Sequence, residues 1–185
     1  MGKLKALLPW RGSTLIEHQI ESLQRAGVVE VVVVVGHMGK AVEARVKGSF
    51  GVVTVANPDY RQGKTTSIRA GLKALSPDAQ GILILAVDQP RPARILESLI
   101  QVHLEGNSLI TGPLYRGRSG HPLIFSRRLL PELMSITEEG QGLREITHRH
   151  RENIYRLEVD SPLVTVDINS PEDLREAERL SDDLE

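Results

Sequence analysis

The run Val31-Val-Val-Val-Val35 limits the fold more than any other stretch of this chain: five β-branched residues with no polar alternation. β-Branched side chains are crowded in a helix and fit a pleated surface. A strand wetted on one face alternates apolar with polar residues, whereas one covered on both faces reads as a continuous apolar run, as in parallel sheets. Parallel neighbours need a crossover, usually a helix, so the run predicts strands and helices in alternation.

The rest of the sequence carries that alternation. Thr14–Ala26 places Leu15, Ile16, Ile20 and Leu23 on one helical face, with Ser13 or Thr14 as N-cap and Gly27 as the closing glycine. Helical spacing recurs over 40–47, 67–75, 94–105, 129–134 and 143–150, and a last helix opens at Ser170-Pro171-Glu172-Asp173. Extended patterns cover 52–56, 81–87, 108–111, 122–125, 155–159 and 163–167. With no internal repeat and no Pro/Gly/Ser-rich linker, these elements predict one domain over residues 1–185, a three-layer α/β/α fold with a Rossmann-like, mostly parallel sheet.

Composition removes several classes of function. The formal net charge of −1 gives no reason to expect nucleic acid or an anionic membrane as partner. The absence of cysteine excludes disulfides, thiolate metal sites and a cysteine nucleophile. The longest apolar run, Val28 to Val35, is interrupted by Glu30 and too short to span a bilayer, and the cytoplasm is the expected compartment. None of G-x-x-x-x-G-K-S/T, strand-borne G-x-G-x-x-G, H-E-x-x-H or G-x-S-x-G occurs.

In an open α/β sheet, ligands collect beyond the carboxyl ends of the strands, and that rule selects Asp88, directly after Leu85-Ala86-Val87. A carboxylate there suits a hard cation such as Mg²⁺, or caps the turn before Pro90. Asp167 and Asn169, two apart on an extended segment, face one side, although Asn169-Ser170-Pro171 is also a good helix start. Lys3 and Lys5 can neutralise phosphate charge, or are solvated terminal lysines. The loop from Asn57 to Gly63 with Thr65, Thr66 and Ser67 offers N–H donors and hydroxyls to a nucleotide, and is equally an ordinary strand-to-helix connection. Arg116-Gly-Arg-Ser-Gly-His-Pro122 either grips a phosphate or forms an exposed hairpin tip.

Taken in order, Met1-Gly2…Lys5, Leu7-Leu8-Pro9, Thr14-Leu-Ile-Glu17, Asn57-Pro-Asp-Tyr60 with Gly63, Ser67-Ile-Arg-Ala-Gly-Leu72, Asp88-Gln-Pro90, Gly120-His-Pro122 and Asp167-Ile-Asn-Ser-Pro-Glu-Asp-Leu174 resemble the MobA-like nucleotidyltransferases, especially the molybdenum-cofactor cytidylyltransferase branch. The resemblance implies the nucleotide-diphospho-sugar-transferase-like variant of the fold. It also implies Asp88 as the principal Mg²⁺ ligand, Asn169 as the second with Asp167 in reserve, and Lys5 on the phosphates. Asn57, Gly63 and Ser67 fall in the base and ribose pocket, and His121 on the pterin side. The implied reaction moves CMP from CTP, or GMP from GTP, onto the phosphate of molybdopterin and releases pyrophosphate. A molybdoenzyme or its chaperone would then receive the product.

Two departures from the family pattern stand out. The family's opening strand and its L-A-A-G-x-S-x-R loop are absent, so unpaired edges are expected in the middle of the sheet. Where the family often has G-D-x-G-A-R, this chain has Glu138-Glu-Gly-Gln-Gly-Leu-Arg144. Besides the active transferase, two alternatives follow: a truncated, non-catalytic protein that binds or delivers the cofactor, and a related transferase using GTP or a sugar-phosphate acceptor.

Overall fold

A computed structural model describes residues 4–182. In chain order its strands and α-helices are β1 (Pro9–Trp10), β2 (Ser13–Thr14), α1 (Leu15–Arg25), β3 (Val31–Val35), α2 (Gly39–Val46), β4 (Val52–Ala56), α3 (Lys64–Leu72) and β5 (Gly81–Ile84). There follow α4 (Ala93–Glu105), β6 (Ile110–Tyr115), β7 (Arg118–Ser119), β8 (Leu123–Ser126), α5 (Leu130–Ser135), α6 (Leu143–Arg149), β9 (Ile154–Glu158) and α7 (Pro171–Asp182). Among the described residues no helix is long and apolar enough to cross a membrane.

The valine run is covered on both faces, as its composition requires. Val31, Val33 and Val35 pack on Ile16 and Ile20 of α1 and on Val42 and Val46 of α2. Val32 and Val34 point the other way, beneath Gly71 of α3. The second ladder has the same layering: Leu123 and Phe125 of β8 pack with Leu72, Leu133 and Ile146 on one side, while Ile124 between them packs with Ile95 and Leu99 of α4 on the other. Each such side chain contributes about 1.5–3 kcal/mol on full burial, so a one-residue slip of β8 would exchange both faces and is strongly disfavoured.

Helices on both faces of the strands make the three-layer α/β arrangement expected from the sequence. β3 pairs with β4 in parallel. In the second ladder β9 is parallel to β6, β8 is antiparallel to both β6 and β5, and β7 folds back on β6 as a hairpin. Among the described residues, no strand bonds to the second edge of β3 or of β5. The second edge of β3 is thus open among the described residues. Beside it lies a cleft of about 550 Å³, lined by Val33, Val34, Val35 and Val87, with Lys5 on its wall.

Several elements differ from the sequence reading. Residues 163–167 are not a strand: Pro162–Thr165 form a 3-10 turn, capped by Ser161 Oγ accepting from the Leu163 N–H. The Val164 and Val166 carbonyls accept from Arg91, so side chains satisfy backbone groups that a neighbouring strand would otherwise take. The ladder of β5 stops at Ile84, four residues before Asp88, because the Ala86 carbonyl accepts from Gln19 of α1 and from the Gln89 N–H. Helix α3 starts at Lys64 rather than Ser67. The hairpin β1–β2, for which the sequence patterns above give no element, turns through Arg11 and Gly12, both at positive φ.

Candidate active site

Helix α7 is opened by Ser170, whose Oγ accepts from the Asp173 N–H, and by Asp173 Oδ2, which accepts from the N–H groups of Asn169 and Ser170. The capping role is thereby taken by Ser170 and Asp173. The Asn169 side chain is left to face the loop after β5. On the opposite wall, the Ile168 N–H donates to the Asp88 carbonyl at 2.8 Å, which seats the turn after β5 against the approach to α7.

Between these two segments stands Lys5. Its Nζ donates to Asp88 Oδ2 at 2.8 Å and to Asn169 Oδ1 at 2.9 Å, although the three residues lie up to 164 positions apart. Two oxygen donors thus converge on one cationic centre. Asp167 is adjacent but differently held: its Oδ1 accepts from Gln89 Nε2, and the Gln89 carbonyl in turn accepts from Gln19 Nε2 of α1. Gln19 is only 4% exposed and its Oε1 has no partner among the described residues. Lys3 lies outside the described residues.

The donor set fits a hard divalent cation. Two protein oxygens already share an ammonium ion, and Mg²⁺ characteristically takes one or two carboxylates and completes its shell with water and substrate phosphates. Among the described residues no three His, Cys, Asp or Glu side chains cluster as a self-sufficient metal cage. A cation here would depend on substrate oxygens to complete its shell.

A second group of sequence-selected residues meets at the start of α3. Asn57, buried at the end of β4, donates through Nδ2 to Thr66 Oγ1 and to Ser67 Oγ, both at 2.9 Å, while its Oδ1 accepts from the Asp59 N–H. Gly63 precedes α3 at φ 122°, and any Cβ there would collide with the Glu138 side chain. Glu138 Oε1 accepts from the Thr65 N–H at 2.6 Å and so caps α3 from across the molecule. The Thr65 bonds hold the Glu138 carboxyl below the usual glutamate value, with the charge of Lys64 adding to the effect.

His121 lies at the rim, before β8, an exposed residue with its backbone fixed. Its N–H donates to the Val164 carbonyl, and its own carbonyl accepts from Arg91 Nε, both at 2.8 Å. Gly120 beside it is required by close approach, since a Cβ would sit 2.3 Å from the Val164 carbonyl oxygen. Desolvation by the surrounding walls, with the charges of Arg91, Lys64 and Arg144, keeps the His121 ring below the usual histidine value against the opposing pull of Asp167. Arg116 and Gly117 form the hairpin tip, where the Arg116 guanidinium lies over the Tyr115 ring.

The structure brings Lys5, Asp88 and Asn169 into direct contact, sets Asp167 beside them, and joins Asn57 to Ser67 next to Gly63. Among the described residues the His121 side chain shares no hydrogen bond with any of these side chains. Three contributors escaped the sequence reading. Gln19 is an unremarkable residue of an amphipathic helix, and Glu138 lies in a loop that departs from the family pattern. Arg91, wholly buried, had one visible signal: a cation between Pro90 and Pro92 that neither a strand nor a helix could carry to solvent. Burial lowers the Arg91 pKa to about 10 against the opposing pull of Asp167 and Asp88, so the guanidinium stays charged at neutral pH.

Comparison with known proteins adds family to geometry. A family profile described as MobA-like NTP transferase domain matches residues 1–154. The molybdenum cofactor cytidylyltransferase of Escherichia coli is 26% identical over 178 residues, covering 94% of this chain and 86% of that one. The nicotine blue oxidoreductase of Paenarthrobacter nicotinovorans is 33% identical over 148 residues, covering 76% and 71%. Among solved structures, Rv0371c of Mycobacterium tuberculosis superposes with a TM-score of 0.83 at 27% identity, covering 97% of this chain and 90% of that one. A complex of Rv0371c with manganese superposes at 0.76 and 27% identity, covering 95% and 91%.

Proposed function

This chain belongs to the MobA-like NTP transferase domain family, and on that premise we propose that it moves a nucleotidyl group, CMP from CTP, onto the terminal phosphate of a molybdopterin-type acceptor. The observation that carries the reading is the position of Lys5 Nζ, shared by Asp88 Oδ2 and Asn169 Oδ1 at the crevice end of the fold. The cytidylyltransferase relative supplies the nucleotide and the acceptor class. The reading calls for the cytoplasm, where nucleoside triphosphates are available, and a molybdoenzyme or its chaperone would take up the product.

In the reaction one oxygen of the acceptor phosphate attacks the α-phosphorus of the nucleotide. A new P–O bond forms as the bond from the α-phosphorus to the bridging oxygen breaks, and pyrophosphate leaves with that electron pair. No protein nucleophile takes part. Asp88 and Asn169, with Asp167 beside them, would hold a divalent cation such as Mg²⁺, which when bound neutralises phosphate charge. Manganese in the related Rv0371c structure supports a divalent cation.

Lys5 has two tasks. Before substrate arrives its ammonium occupies the place between the two oxygen ligands that a metal cation would take, and with substrate present it turns to the pyrophosphate as negative charge grows there. Asn57, tied to Thr66 and Ser67, presents with them one amide oxygen and two hydroxyls along the wall where base and ribose would rest. His121, with Lys64 and Arg144 near enough to act on its charge, forms the acceptor side, where cations favour a phosphate.

The test is pyrophosphate release by the full chain with Mg²⁺, a molybdopterin acceptor, and CTP or GTP in parallel. CTP is expected to be preferred and Asp88→Ala to be inactive. Full activity in Asp88→Ala would overturn the metal assignment. Absence of any Mg–nucleotide binding by calorimetry would favour a non-catalytic carrier, and a panel of sugar phosphates separates the remaining acceptor class.

A further inference from the structure

Arg91 is the only Lys, Arg, Asp or Glu that is buried among the described residues, at 0% exposure. Its guanidinium donates to four carbonyls: Nη1 to Pro90 at 2.9 Å, Nε to His121 at 2.8 Å, and Nη2 to Val164 and Val166, both at 3.2 Å. Those carbonyls belong to three segments remote in sequence. One is the turn that carries Asp88, another holds His121, and the third leads to Asp167 and Asn169.

We infer that Arg91 is a positioning residue for the transfer, fixing the spacing between the cation-holding oxygens of Asp88 and Asn169 and the acceptor-side His121. The inference rests on the functional reading above. Burying a charged group is costly, and stability alone is often served as well by an apolar residue of similar volume. A planar fork with five N–H donors does what no apolar side chain can: it gathers backbone carbonyls from separate segments into one fixed arrangement. The three segments carry no strand ladder with one another near Arg91. Among the described residues their hydrogen bonds there are the guanidinium's four, the Ile168-to-Asp88 and His121-to-Val164 backbone bonds, and the Gln89-to-Asp167 side-chain bond.

Charge and geometry make opposite predictions here, so the role is testable. A fixed positive charge close to Asp88 and Asp167 by itself weakens binding of a divalent cation, and its removal would tighten binding. A positioning role has the reverse sign: without Arg91 the turn and the approach to α7 drift apart, and cation binding weakens.

Mn²⁺ affinity of the full chain, followed by electron paramagnetic resonance, separates the two. Arg91→Met is expected to weaken Mn²⁺ binding about tenfold or more. The line broadening that bound Mn²⁺ imposes on the His121 ring protons should change in the same variant, and millimolar guanidinium should restore part of the affinity. Equal or tighter Mn²⁺ binding in a folded Arg91→Met protein would overturn the inference. If that variant does not fold, the wild-type chain still decides: the Arg91 Nε–H resonance should shift when Mg²⁺ is added, and a resonance that stays in place through saturation would refute the role. Asp88→Asn is the control for the underlying reading. Unchanged Mn²⁺ affinity there would remove the metal assignment and this inference together, whereas loss in Asp88→Asn without loss in Arg91→Met would remove only the latter.

Discussion

The two halves of the crevice are built in different ways. At the Asp88 end, side chains are held by partners 67 to 164 residues away: Lys5 with Asn169, Gln19 with Ala86, Gln89 with Asp167, and Arg91 with Val164. At the Asn57 end the bonds are mostly local, from Asn57 to Thr66 and Ser67, nine and ten residues on, with one long tether from Glu138. A region assembled from distant segments has its geometry fixed by the whole fold, and small losses spread through it. A region assembled locally keeps its shape when a neighbour changes. The Asp88 end should therefore answer substitution with lost chemistry, and the Asn57 end with lost affinity.

Asp88→Ala gives the largest contrast. It removes one of the two oxygens that share the cationic centre, and kcat/KM for pyrophosphate release should fall on the order of a thousandfold. Folding should change little by comparison. The Asp88–Lys5 pair is partly open to solvent, so its contribution to stability is at most about 1 kcal/mol. A melting temperature that collapsed in parallel with activity would show that the site is inseparable from the core, and the contrast would fail.

Lys5→Met should come next, with kcat lowered about a hundredfold, because it withdraws charge stabilisation and leaves the oxygen ligands in place. Mn²⁺ affinity should stay the same or rise in this variant, since the ammonium that competes for Asp88 and Asn169 is gone. Weaker Mn²⁺ binding would mean that Lys5 organises the ligands rather than competing with the metal.

Asn57→Ala probes the other half. It deletes donor bonds to two hydroxyls, and KM for the nucleotide should rise about tenfold while kcat holds. A fall in kcat with KM unchanged would place Asn57 in the chemistry and erase the distinction between the two ends.

Legibility in the sequence follows the same division. Local relations could be read directly. Thr14 and Glu17, three apart, form the capping box of α1. The valine run is packed on both faces, and Asp88 follows β5, although four residues past its last paired residue rather than directly after it. Relations that depend on a distant partner are not legible in local patterns: the grouping of Lys5, Asp88 and Asn169 is expected from the family resemblance alone, and others are missed. Residues 163–167 have the composition of a strand, but Arg91, 73 to 75 residues away, takes their carbonyls and the segment coils instead. The start of α3 is displaced to Lys64 because its cap arrives from Glu138, 73 residues on. Composition and spacing within a window carry no trace of either partner.

The Glu138 tether provides the smallest effect and the finest test, since it is the one long bond in the local half. Its carboxyl is held below the usual glutamate value chiefly by the Thr65 bonds. A carboxyl whose native value is depressed contributes stability that is fully present above its unfolded value and is lost as pH falls through the native one. Wild type should melt above Glu138→Gln near neutrality, and the gap should close as the medium is acidified past the glutamate range. Nucleotide KM should move by less than it does in Asn57→Ala, because the helix start retains the Asn57 bonds to Thr66 and Ser67 when its remote cap is weakened. A gap that stays constant at every pH would mean that the amide caps α3 as well as the carboxylate does. The helix start would then owe nothing to the Glu138 charge, and the Asn57 end of the crevice would be local throughout.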